Sequence, residues 1–185
     1  MKALGKTYKD AEARTDGGFE RLPAGGYVCK IVAVEDKPEK SYLSIVYDIA
    51  EGDRKGFYSD DWGKEHPVAH RFVASYKDSA LGMFKGRLKA IDESNGTAFA
   101  DAATDGLNEN GLVGKLVGLV IGYEEYISDR GEIRQRSYVK NVLPVEKIRK
   151  GEYKVPDLKV LTSAPIQEPA GEAPEGFSWG NDVPF

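Results

Sequence analysis

The stretch from Lys115 to Ile127 is the most apolar in the chain, and it alternates. Val117, Leu119 and Ile121 fall on one side of an extended strand, with Gly118 and Gly122 on the other. Successive side chains of a strand point to opposite faces, so a period of two marks a strand with one face in a core. Tyr42 to Ala50 shows the same period, with Leu43, Ile45, Tyr47 and Ile49 together on one face. Half-apolar strands need hydrogen-bonding neighbours and a covering layer, so the chain must build a sheet. Tyr27 to Val34, behind Gly25-Gly26, is rich in β-branched and aromatic residues and reads as the first strand. Phe57 to Trp62 and Val68 to Tyr76 are two further candidates. Ser128-Asp129-Arg130-Gly131 reads as a hairpin turn that returns the chain along Glu132 to Leu143.

One helix interrupts the strands. Leu81, Phe84, Leu88 and Ile91 fall at helical spacing, Asp78 or Ser79 is placed to cap the start, and Asn95-Gly96 to stop the end. Gly82 and Gly86 weaken that helix, which suggests a face pressed close to a strand. Residues 97–111 hold Asp101, Asp105 and Glu109 with no base and read as a loop. Pro144 suits the first turn of a short helix from Val145 to Arg149. The expected fold is mainly β with one prominent helix: an OB-fold-like five-stranded barrel. It spans residues 25–160, between an N-terminal arm (1–24) and an acidic, Pro-rich C-terminal tail (161–185). Another small β-barrel or an α+β sheet would have the same count of elements.

Charge is informative once it is placed. The net charge is −4, and no Lys or Arg follows Lys159. Glu168, Glu172, Glu175 and Asp182 in the tail account for the imbalance and leave the body with equal numbers of acids and bases. Such a body can still carry a basic stripe for nucleic acid. Cys29 is the only cysteine, which excludes an internal disulfide framework and any cysteine-rich zinc site. With no apolar run behind the N-terminus and no stretch near the length of a membrane span, a cytoplasmic protein without a membrane partner is expected.

The last strand carries the best binding pattern. Arg134, Arg136, Tyr138 and Lys140 alternate and so share a face: cations for phosphates and a ring for a base. Ile133, Gln135, Ser137 and Val139 face the other way, a weakly apolar set that leaves the sidedness open. Gly118 and Gly122 would leave space beside that row. A second patch interleaves Arg71, Tyr76 and Lys77 around Phe72, itself better placed in the core. Lys85, Arg87 and Lys89 make a basic helix side that solvation explains as easily as phosphate contact does. His66 and His70 are four apart, but Pro67 between them argues against a helix holding a metal. Trp62, flanked by Asp60 and Asp61, suits a structural role. No phosphate-cradling Gly-rich motif with a Lys behind it is present, so ATP use is unsupported; no cofactor and no catalytic residues are expected.

Two resemblances bear on function. The chain ends Asp182-Val183-Pro184-Phe185. This tip resembles the acidic C-terminal tip of bacterial single-stranded DNA-binding proteins, which closes in Asp-Ile-Pro-Phe; here Val183 stands for the Ile and Asn181 precedes a single acid. Further motifs are spread along the body. They are Ser75-Tyr76-Lys77-Asp78-Ser79-Ala80-Leu81-Gly82, Phe84-Lys85-Gly86, Ala90-Ile91-Asp92-Glu93-Ser94-Asn95, Gly114-Lys115-Leu116-Val117-Gly118 and Gly151-Glu152-Tyr153-Lys154-Val155-Pro156. These resemble a family of small proteins of phage and prophage replication and recombination modules. The resemblance implies a body that coats single-stranded DNA and a tip, Asp182 to Phe185, that recruits replication or recombination proteins. Oligomeric state stays open. The alternative is a protein-interaction adaptor of such a module with no direct hold on DNA.

Overall fold

Five strands form one antiparallel sheet in the computed structural model, which describes residues 21–161. They are β1 (Gly25–Lys37), β2 (Tyr42–Ile49), β3 (Arg71–Ser75), β4 (Leu116–Ile127) and β5 (Ile133–Leu143), in the order β3-β2-β1-β4-β5. The helices are α1 (Asp61–Glu65), α2 (Leu81–Asn95), α3 (Phe99–Ala102) and α4 (Val145–Arg149). Only α2 is long, and it lies in sequence between β3 and β4, so the protein is mainly β with one prominent helix. The expected barrel is not closed: the strands form an open sheet whose order is compatible with an OB-like arrangement. No ladder joins β3 to β5 among the described residues; the two ends approach where Ser137 Oγ donates to the Ala69 carbonyl at 3.1 Å. No helix among these residues is long and apolar enough to cross a membrane.

The alternating strands bury the faces their period assigns. Leu43, Ile45, Tyr47 and Ile49 of β2 meet Cys29 and Ile31 of β1, Val117, Leu119 and Ile121 of β4, and Leu88 and Ile91 of α2. Phe72 is in this core as well, and burial pushes the Cys29 thiol up. On the other face of the sheet, α4 sets Val145 and Ile148 on Val28 and Val120.

Several expectations need correction. Phe57 to Trp62 is not a strand. Asp60 accepts from the Gly63 N–H at 2.8 Å and caps α1, while Asp48 Oδ1 accepts from the Tyr58 N–H at 2.9 Å. Those bonds turn the chain instead of extending it. Residues 67–70 form a 3₁₀ turn, so β3 begins only at Arg71. Neither Asp78 nor Ser79 caps α2; both lie in a 3₁₀ turn that leads straight into the helix. Gly96 ends α2 as expected, at φ +65°. Gly82 and Gly86 face open space, with nothing within 4 Å of an added Cβ. Of the arm and tail, residues 1–20 and 162–185 lie outside the described residues. The last residues of the arm are built into the body: Leu22 is in the core, and its carbonyl accepts from the Tyr123 hydroxyl at 2.5 Å.

Candidate nucleic-acid interface

The β5 row shares a face, as its spacing requires. Tyr138, Arg136 and Arg134 stand opposite Gly122, Glu124 and Tyr126 of β4. Val139 packs toward the core, which settles the sidedness. Lys140 leaves the row because the ladder slips one residue there, Val139 pairing with Ile121 but Asn141 with Val120.

The members of this row have partners within the chain. Arg134 donates to Glu132 at 2.7 Å, and Arg136 to Glu124 at 2.8 Å. The Arg136 guanidinium also lies 5.3 Å from the centre of the Tyr126 ring. Lys159 Nζ sits 3.7 Å from the centre of the Tyr138 ring and 3.4 Å from Glu124. It arrives there because the segment after α4 returns alongside β4, donating from the Lys159 N–H to the Tyr123 carbonyl at 3.0 Å. The hydrogen bond from Arg136 holds the Glu124 carboxyl below the usual carboxylate range. The space expected beside the glycines is filled. A Cβ on Gly118 would meet Ile148 at 2.5 Å, and one on Gly122 would meet Pro156 at 2.5 Å.

The outer face of β2 and β3 is arranged differently. Burying Leu43 and Ile45 turns Tyr42, Ser44 and Val46 to the other face, where they pair with Ser75, Val73 and Arg71; Ser44, between the other two, is itself buried. Arg71 is exposed at one end of this strip. At the other, Lys40, Tyr42, Val73, Ser75 and Lys77 line a shallow recess of about 490 Å³, with Glu39 also on its edge. Arg71, Lys40 and Lys77 are in no ion pair among the described residues, whereas Lys37 beside them pairs with Glu35. The strip thus offers two cations, Lys40 and Lys77, in the recess with the half-buried Tyr42, and a third, Arg71, at its far end.

Arg71 and Lys77 of the second sequence patch therefore reach this strip, and Tyr76 does not. Its hydroxyl donates to Asp36 at 2.7 Å, a bond that pushes its pKa up to about 12, and its ring packs edge-on against Phe84. Tyr42 and Lys40 escaped the sequence reading, although a signal existed: placing Leu43 in the core necessarily places Tyr42 outside. On α2, Arg87 is held by the Val73 carbonyl at 2.5 Å and by the Phe72 ring, and burial lowers its pKa. His70 is buried between the Tyr47 and Gly63 carbonyls, stacked on Tyr58; His66 stacks on Trp62. No group of three His, Cys, Asp or Glu side chains among the described residues is placed to hold a metal ion. The tip residues Asp182, Val183, Pro184 and Phe185 lie outside the described residues.

The chain matches no protein-family model and no curated protein.

Proposed function

We propose that this protein binds single-stranded DNA without sequence preference, across the outer face of β2 and β3. Arg71, Lys40 and Lys77 meet phosphates and Tyr42 stacks on a base, the pairing of cation and ring that tolerates any sequence. The observation that carries this reading is the contrast between two rows. Arg71, Lys40 and Lys77 are in no ion pair among the described residues, while Arg134 and Arg136 on β5 are each bonded to a carboxylate. An OB-like five-stranded sheet supports the same assignment by analogy of fold. The setting in phage replication or recombination, and recruitment of partner proteins through Asp182 to Phe185, rest on the sequence resemblances.

The test is fluorescence anisotropy of labelled oligo-dT against a duplex of equal length. Binding is expected for the single strand and not for the duplex. Replacing Arg71 and Lys77 together by Ala should weaken it about tenfold or more, and Tyr42→Ala should cost about 1–3 kcal/mol. Arg134→Ala with Arg136→Ala should leave it nearly unchanged. The opposite pattern would move the site to β5. No binding to either DNA would favour the adaptor, which the charge balance of the body also fits.

A further inference from the structure

The apolar stripe of α2 is only half covered. Leu88 and Ile91 are buried, but Leu81 keeps 48% of its surface exposed, and Met83 beside it keeps 63%. Leu81, Phe84 and Leu88 form one side of a cleft of about 590 Å³. Ala100, Ala103 and Leu107 supply its other side, with Leu43 and Tyr76 between them. A recess of this size and lining suits a few large apolar side chains of a partner. Its charge is one-sided. Asp36 and Glu109 line it, Asp101 of α3 and Asp105 just after that helix are exposed, and residues 97–111 contain no Lys or Arg. Lys85 is the base among the lining residues. Such an edge repels phosphates and attracts cations, so a DNA strand is a poor occupant.

We propose that this cleft docks a partner protein through an amphipathic segment whose apolar side chains are flanked by Lys and Arg. Leucine or phenylalanine side chains of the segment enter between Leu81, Phe84 and Leu107. Its cations meet Asp36, Asp105 and Glu109. The site does not use the DNA-binding strip, and its success or failure is read independently of it.

The probe is a fluorescein-labelled synthetic helical peptide with Leu and Phe at helical spacing and Lys elsewhere, titrated with the full chain. Its twin carries Glu in place of every Lys. The Lys peptide should bind and the Glu peptide should not. Leu81→Ser, at a half-exposed position, and the double charge reversal Asp105→Lys with Glu109→Lys should each weaken binding about tenfold, the size expected for losing a central contact. Both variants should keep the parent's circular dichroism spectrum and its affinity for oligo-dT. Failure of the Lys peptide to bind, equal binding of both peptides, or binding indifferent to Leu81→Ser would overturn the proposal. So would displacement of the peptide by oligo-dT, which would make the cleft a DNA site. Loss of oligo-dT binding by the unaltered chain would overturn the single-strand reading alone.

Discussion

Two glycines show how far apart identical residues stand once the chain is folded. A Cβ on Gly63 would lie 2.1 Å from the Tyr58 carbonyl oxygen, a backbone atom that cannot swing aside. Gly63→Ala is therefore expected to destabilise the fold by about 1–3 kcal/mol, the usual cost of overpacking. Gly86, exposed on α2, has nothing within 4 Å of its Cβ position. Gly86→Ala should stabilise by about 0.5–1 kcal/mol, because alanine loses less backbone freedom in a helix. Urea denaturation of the two variants checks both signs; equal effects would show that the contact at Gly63 does not govern it. Asp92 is a third residue whose role appears only in the fold. Burial alone would raise its pKa, yet the bonds from the Ala100 N–H, the Thr97 hydroxyl and the Phe99 N–H together hold it below the usual carboxylate range. Through them the end of α2 fixes the start of α3. Nothing in the spacing of 92, 97, 99 and 100 announces this, since α3 is too short to leave a periodic pattern.

At the scale of elements, the outer half of the β4–β5 hairpin is tied down by one carboxylate. Glu124 receives Arg136 from β5 and Lys159 from the returning segment, and the bond from Arg136 is the main cause of its lowered pKa. A carboxylate whose folded pKa lies below its unfolded value, about 4.3 for Glu, stabilises above that value and loses the contribution as the pH falls through the folded pKa. Acidification below about pH 4 should thus loosen the segment from 157 to 161 before the core. The checking measurement is amide exchange of Lys159, corrected for intrinsic rate, with Glu124→Gln at neutral pH expected to show the same loss of protection. Unchanged protection in that variant would mean that the backbone bonds between Lys159 and Tyr123 and Glu125 of β4 hold the segment without the carboxylate. The strand pattern was legible in the sequence here, and the partners were not. Arg134, Arg136 and Tyr138 read as one exposed row, but the pairing of the two arginines with Glu132 and Glu124, and the covering of the Tyr138 ring by Lys159, depend on the β4 register and on a segment that returns from beyond α4. The strand expected over Phe57 to Trp62 failed for a related reason. Aromatic composition favours extension, and the carboxylates of Asp48 and Asp60 override it by bonding to backbone N–H groups.

For the whole molecule, equal numbers of acids and bases before the tail mean that any hold on DNA must be local. If Arg71, Lys40 and Lys77 supply the phosphate contacts, the logarithm of affinity for oligo-dT should fall with the logarithm of salt with a slope near −2, at about 0.7 per contact. A much steeper slope would bring further cations into the interface. If the tip recruits partner proteins as its resemblance implies, deleting Asp182 to Phe185 should leave that affinity unchanged; a weakened hold on oligo-dT would make the tip part of the DNA site. The sequence alone determined the alternating faces of β2 and β4, the single long helix with its stop at Gly96, and the clustering of acid after Lys159. Each of these is local: side-chain direction has a period of 2 in a strand and 3.6 in a helix, and charge is additive along the chain. The tertiary structure alone decided which cations are bonded within the chain and which are not, that Tyr42 stands between Arg71 and Lys77, and that half of the α2 stripe opens onto an acidic cleft. These depend on which strands become neighbours and in what register, and on segments far apart in sequence that meet only when the core has formed.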